Sequence, residues 1–143
     1  EKVRINSDGL TFNGDTAANN ALNDYERGTW TPAAYENFNG ITSPEGQYEK
    51  IGNLVTVVFQ FNYSSLTSAS SAGAISGLPF TVHNFNSLTG VEATATAFGT
   101  GKHVLVYAND NSTRLYFETG KPFYGSTSSG ADFFRGSLSY LAG

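Results

Sequence analysis

The stretch that decides the fold of this chain is LVTVVFQFNY, residues Leu54–Tyr63. Apolar side chains recur at every second position of this run, and mostly polar side chains fill the positions between them. Because successive side chains of a β-strand point to opposite faces, the alternation predicts a strand with one buried face. The residues predicted to share that buried face are Val55, Val57, Phe59, Phe61 and Tyr63.

Shorter segments with strand character lie on both sides of this run. Residues 2–6 and 10–12 flank the turn-forming sequence Asn-Ser-Asp-Gly. Residues 91–98 and 134–141 also alternate, and segments 103–108 and 113–118 flank a predicted hairpin turn at 109–112. Many short strands separated by turns predict an all-β fold, which we expect to be an antiparallel, jelly-roll-like β-sandwich.

One helix is predicted, near the amino terminus. Asp15 or Thr16 can cap this helix, and Gly28 ends it. Its apolar positions lie on one stripe and are Ala18, Ala21, Leu22 and Tyr25. A helix this short is marginal alone in water, and its small side chains favour packing against copies of itself. We therefore expect a neck or trimerisation segment of short strands and a helix at residues 1–28, followed by a β-sandwich domain at 29–143.

The composition excludes several classes of protein. Charged residues are 14% of the 143-residue chain, below the roughly 25% of an average domain, and the net charge is −4. Since binding to phosphate needs clustered Lys and Arg, we expect no nucleic-acid partner. No apolar run approaches the ~20 residues of a membrane span, so we expect no membrane insertion. Methionine is absent and the chain opens with Glu1, so we expect a fragment of a longer polypeptide.

Two sequence boxes carry a resemblance to a known family. The first is Tyr25-Glu26-Arg27-Gly28-Thr29-Trp30-Thr31-Pro32, and the second runs from Gly46 through Tyr48 and Gly52 to Val55. The pair resembles the C-terminal, receptor-binding tip domains of bacteriophage tail fibres and tailspike-like proteins.

The resemblance implies a virion protein of the tail fibre that is made in the bacterial cytoplasm and works outside the cell. Its implied partners are two further copies in a homotrimer, the fibre chain preceding Glu1, and a bacterial surface polysaccharide or other receptor. It implies adsorption to the host without enzymatic activity and without a cofactor. The alternative is a purely structural module that trimerises and caps a fibre without a ligand of its own.

The predicted ligand-binding residues lie mainly in a Gly/Ser-rich loop at 120–132. Lys121, Phe123, Tyr124 and Asp132 combine a cation, two aromatic faces and a carboxylate, which can stack on a sugar ring and bond its hydroxyls. Phe123 could instead pack under the loop. The next candidates are Asn109 and Asp110, although their sequence is also explained by a hairpin turn.

Other reactive side chains favour structural roles. Trp30, the only tryptophan, lies in a strand-like alternation and is predicted to be a core anchor whose N–H bonds a carbonyl. His83 and His103 have no close ligand spacing and cysteine is absent, so we expect no metal site. No Gly-x-Ser-x-Gly motif is present, and a glycosidase dyad would need acidic residues distant in sequence. We therefore predict no catalytic residue.

Overall fold

The computed structural model describes residues 2–7, 9–14, 16, 25–67, 73–84, 91–98, 102–117 and 132–143. These ranges form antiparallel β-strands and contain no helix, which confirms the all-β prediction. The strands of the first half are β1 (Val3–Asn6), β2 (Gly9–Phe12), β3 (Tyr25–Trp30), β4 (Ala33–Glu36), β5 (Phe38–Asn39), β6 (Thr42–Ile51) and β7 (Leu54–Tyr63). Those of the second half are β8 (Ser65–Leu66), β9 (Gly73–Ser76), β10 (Val91–Phe98), β11 (Lys102–Ala108), β12 (Arg114–Phe117) and β13 (Asp132–Leu141).

Nine of these strands form one sheet in the order β3-β6-β7-β13-β10-β11-β12-β9-β4. The two outermost strands are consecutive in sequence, because β3 ends at Trp30 and β4 begins at Ala33. A two-residue connection can join them only if the sheet curls until its edges approach each other. The curl gives the sheet an inner and an outer face. Two small sheets, β1-β2 and β5-β8, complete the described fold.

The inner face carries the core, and its centre is a cluster of aromatic rings. Phe38 from β5 packs edge-on against Phe61, Phe117 and Phe134, with ring centroids 5.2 to 5.8 Å apart. Phe61 and Phe134 stack at 5.5 Å. The buried core residues on β7 are those that the alternation predicted, Val55, Val57, Phe59, Phe61 and Tyr63. Edge-to-face and offset-stacked contacts of this kind add to the free energy of burial.

Trp30 shows how large rings fit on the inner face. Along one row across the sheet, Trp30 faces Gly46, Gly46 faces Phe59, and Phe59 faces Gly136. A side-chain carbon at Gly46 would lie 2.5 Å from the indole nitrogen of Trp30, so the glycine provides the space that the indole occupies. Trp30 is 7% exposed, which confirms the predicted core anchor. The predicted bond to a carbonyl is wrong, because the buried Nε1 has no hydrogen-bond partner in the described structure.

The predicted strands are confirmed with small changes of boundary. Residues 54–63 form β7 as predicted, 91–98 form β10, and the hairpin around residues 109–112 joins β11 to β12. The final strand, β13, begins two residues earlier than predicted, because Asp132 already pairs with Tyr63. The β1-β2 hairpin is also present.

The predicted neck helix is wrong where the structure describes it. Residues 17–24 lie outside the described residues, but Tyr25 and Gly28 belong to β3, which pairs with β6 from Tyr25 opposite Ile51 to Trp30 opposite Gly46. Six residues of ladder pairing outweigh the weak propensity of a short isolated helix. The predicted domain boundary at residue 28 consequently falls within a strand of the nine-stranded sheet.

Candidate functional site

The β11-β12 hairpin presents its turn in a fixed position. The backbone N–H of Asn111 donates to the carbonyl of Val82 at 3.0 Å, and the N–H of Val82 donates to the carbonyl of Ser112 at 2.9 Å. The N–H groups of Gly77 and Leu78 both donate to the carbonyl of Thr113 at 3.1 Å. These four bonds fasten the turn to the segment after β9, so the strands that leave the turn hold a defined orientation.

The outer face of this hairpin carries aromatic side chains. Tyr107 and Tyr116 are direct register partners, and their rings stack with centroids 5.5 Å apart and planes at 18°. Arg114 precedes Tyr116 by two residues and therefore lies on the same face. Its guanidinium carbon lies 3.8 Å from the ring centroid of Tyr35, which comes from the edge strand β4. We call Tyr35, Tyr107, Arg114 and Tyr116 the tyrosine–arginine patch.

A β-bulge places Tyr35 in the patch. In β4, Ala34 pairs with Ile75 and Glu36 pairs with Ala74, so Tyr35 is the extra residue between two ladder positions. A bulge bends its strand and redirects a side chain. Strand β9 lies between β12, which carries Tyr116, and β4, which carries Tyr35. Its residue in register with Tyr116 is the small, fully buried Ala74. Tyr35 itself remains 49% exposed.

The patch combines a permanent cation with phenol groups. Hydrogen bonding to the Tyr116 side chain is the main factor that raises the pKa of Arg114, and the interaction with Tyr35 acts in the same direction. The guanidinium therefore stays charged while it spans two tyrosines. Such a surface offers ring faces for stacking, hydroxyls for hydrogen bonds and a cation for an acidic group.

A depression with a volume of about 420 Å³ crosses the outer face of β3, β6 and β7, away from the tyrosine–arginine patch. Its walls include Arg27 and Glu49, which face each other across β3 and β6, and Thr56 continues the same row on β7. The Thr56 hydroxyl lies 2.8 Å from that of Ser139 on β13, within hydrogen-bonding distance. We call this depression the sheet-face cleft. Arg27, Glu49 and Thr56 make one end of the cleft polar. The exposed Val58 lies at the other end.

Of the residues predicted to bind ligand, the structure describes Asn109 and Asp110 and the backbone of Asp132, and these lie apart. Lys121, Phe123 and Tyr124 lie outside the described residues. Asp132 is paired in β13 near the Phe98 end of β10, whereas Asn109 and Asp110 follow β11 at the Val91 end of β10. The length of β10 separates these groups by roughly 20 Å. Asn109 and Asp110 are half-buried in the turn of the β11-β12 hairpin.

The patch was missed because aromatic side chains were sought in loops. The alternation of residues 114–117 is the signal that could have placed Arg114 and Tyr116 on one outward face, and the burial of the structure adds Tyr107. Val104, Val106 and Ala108 are buried, as are Leu115 and Phe117. The intervening Tyr107, Arg114 and Tyr116 must then point outward. Tyr35 could not have been added by this reasoning, since its place depends on a bulge and on pairing with a distant strand.

Comparison with protein-family models, with curated proteins and with solved structures found no match to this chain. Among the described residues, no group of three or more His, Cys, Asp or Glu side chains could hold a metal ion. The same residues include no helix with the length and apolarity to cross a membrane.

Proposed function

We propose that this chain is the tip domain of a bacteriophage tail fibre, which assembles as a trimeric, jelly-roll-like sandwich and binds a host cell-surface glycan. The observation that carries the proposal is the tyrosine–arginine patch, in which Arg114 lies 3.8 Å over Tyr35 beside the stacked pair Tyr107 and Tyr116. The pairing of Trp30 with Gly46 also supports it, because it makes the two resembling sequence boxes parts of one structural unit.

The chemistry of the patch suits a saccharide. The C–H groups of a sugar ring stack on an aromatic face, while hydroxyls of the sugar exchange hydrogen bonds with tyrosine hydroxyls and the guanidinium. Because the ring faces are held by paired strands, little conformational entropy is lost on binding. Three copies on one fibre tip would raise a weak single-site affinity by avidity on a cell surface, which displays many copies of its polysaccharide.

The test is binding of the whole chain to an array of bacterial surface polysaccharides and to cells that display the polysaccharide found. The double variant Tyr107→Ala with Tyr116→Ala should lower binding at least tenfold, because both stacking faces are lost. The control is Gln60→Ala, on the outer face of β7 and outside the patch. Circular dichroism and light scattering verify that each variant keeps the fold and mass of the parent.

A second arm of this test addresses the site predicted from sequence. The double variant Tyr124→Ala with Asp132→Ala is measured on the same array. Loss of binding in this variant, together with full binding in the Tyr107→Ala, Tyr116→Ala variant, would assign the glycan to the 120–132 segment and overturn the patch. Absence of any glycan ligand would overturn the adsorption function.

A second candidate function is the purely structural module, and a different surface favours it. Four partly exposed apolar side chains lie in register across β3, β6, β7 and β13. They are Tyr25, Ile51, Leu54 and Leu141, which we call the apolar row. A contiguous exposed apolar surface is typical of a contact with another protein. A trimer that binds no glycan on the array would favour this function.

A further inference from the structure

The β1-β2 hairpin exposes most of its apolar side, whereas Thr11 on the opposite side is buried. Val3 faces Phe12 and Ile5 faces Leu10 across the two strands, so these four side chains share one face. Val3 is 50%, Ile5 82% and Phe12 49% exposed. On the opposite face, Thr11 is only 2% exposed. We call the first surface, formed by Val3, Ile5, Leu10 and Phe12, the hairpin face.

This orientation is the reverse of what burial of apolar surface favours for a hairpin in water. An isolated two-stranded hairpin is at best marginally stable, and it needs a third strand or a packed apolar face to persist. The hairpin face is the apolar surface available for such packing. An exposed apolar face of this kind is typical of a contact with another protein surface.

The apolar row has matching properties. Tyr25 is 59%, Ile51 48%, Leu54 48% and Leu141 40% exposed. The row crosses four neighbouring strands and so extends for roughly 14 Å, while the four-residue strands of the hairpin extend for roughly 10 Å. Both surfaces are faces of antiparallel sheet with four apolar side chains each, and two such faces can pack against each other as layers about 10 Å apart.

We propose that the hairpin face of one copy of this chain packs on the apolar row of a second copy. Within a single chain both surfaces remain exposed, so they do not cover each other there. Each copy carries both surfaces, and the contact is therefore head-to-tail, which closes into a ring when the rotation permits. The inference rests on the proposed trimer and specifies the two surfaces that hold it.

The size of the contact favours a ring over a pair. Four partly exposed side chains on each side bury several hundred Å² in total, below the roughly 1,200 Å² of a stable pairwise interface. In a closed ring every copy makes the contact twice, once through its hairpin face and once through its apolar row. Each copy in a ring therefore buries twice the area that it would bury in a pair, with the same two surfaces.

Disulfide trapping tests the inference, because the chain contains no cysteine and introduced thiols have no native competitor. A chain with Ile5→Cys is refolded in equal amount with a chain carrying Leu54→Cys, and the mixture is oxidised at low micromolar concentration. We expect covalent heterodimers on a non-reducing gel. Each variant oxidised alone should stay uncoupled. The matched control replaces Leu54→Cys by Gln60→Cys, on the same face of the same strand but away from the row.

The double variant Ile5→Cys, Leu54→Cys completes the design. Oxidation should give a ladder that ends at a closed covalent trimer, and light scattering should give a trimer before oxidation. An intrachain disulfide with monomer mobility would overturn the inference, as would coupling of the Leu54→Cys chain with itself. A trimer without the disulfide would overturn the inference and leave the proposed assembly in place, whereas a monomer would overturn both.

Discussion

Both faces of strand β7 carry apolar side chains, but in very different environments. On the inner face, Val55 and Val57 are fully buried, whereas on the outer face Leu54 and Val58 are 48% and 47% exposed. The difference lies in what the neighbouring strands place beside them. Residues on the inner face pack against aromatic rings and glycines of neighbouring strands. Residues on the outer face have exposed side chains beside them. Apolar residues in the core stabilise the fold, and apolar residues in the rows remain available for a partner.

The outer face is itself divided. Towards β11, β12 and β4 it carries tyrosines and a guanidinium, and towards β3, β6, β7 and β13 it carries the apolar row beside the sheet-face cleft. Aromatic and cationic groups suit a hydrated, hydroxyl-rich ligand, whereas aliphatic side chains suit a protein surface. The proposed function assigns adsorption to the first part of this sheet face and assembly to the second.

The largest difference in stability between substitutions on the two faces of β7 should appear at Phe61 and Gln60. Phe61→Ala should lower the free energy of unfolding by about 3–5 kcal/mol, because Phe61 is fully buried and stacks on Phe134. The neighbouring Gln60→Ala removes only a partly exposed bond to Glu45 and should cost under about 1 kcal/mol. Urea unfolding measures both. Equal losses would show that the outer face is buried as deeply as the inner one.

Alkaline pH should weaken the inner face through Tyr140. Burial raises the pKa of the Tyr140 phenol from 10.0 to about 12, and its hydroxyl donates to the carbonyl of Phe80 at 3.0 Å. A raised folded pKa means that the unfolded chain loses this proton first. The contribution to stability is therefore complete well below pH 10 and is lost as the pH rises towards 12, by roughly 1–2 kcal/mol once solvent screening is allowed for. Urea unfolding between pH 9 and 11.5 should show this fall, and Tyr140→Phe should flatten it.

The need for glycine beside the large rings of the inner face can be tested by glycine-to-alanine substitutions. Gly46→Ala places a carbon 2.5 Å from the indole nitrogen of the buried Trp30, and we expect a loss of about 1–3 kcal/mol. The control is Gly28→Ala, whose new carbon would lie 2.8 Å from the Tyr48 ring at the rim of the core, where the side chain can move. Thermal unfolding should rank Gly46→Ala as the more damaging change. The reverse order would mean that Trp30 can shift within the core.

The smallest effect should come from the outer face. Val58→Thr keeps a β-branched side chain at a 47% exposed position of the sheet-face cleft, and should change stability by less than about 0.5 kcal/mol. The same substitution at the fully buried Val57 places a hydroxyl in the core and should cost about 1–3 kcal/mol. Chemical denaturation of both variants gives the contrast directly. Similar losses at the two positions would remove the distinction between the faces.

The candidate site was less predictable than the fold. The single charge of Arg114 indicates the outer phase of residues 114–117, whereas residues 104–107 form an apolar run whose phase the sequence leaves open. The bulge that adds Tyr35, and the length of β10 that separates Asp132 from Asn109, depend on pairing between strands far apart in sequence. Loop composition alone favoured segment 120–132, since Gly and Ser with aromatics are typical of recognition loops.

The sequence by itself determined the class of the fold and the buried side of its strands. Period-two alternation is a local property, so the phase of β7 could be assigned without knowing its neighbours. The tertiary structure alone decided that Tyr25 to Trp30 form a strand, because the ladder to β6 supplies hydrogen bonds that a short helix cannot match in stability. It also decided the cross-strand rows, since register joins residues such as Tyr25 and Leu141 only after four strands have paired.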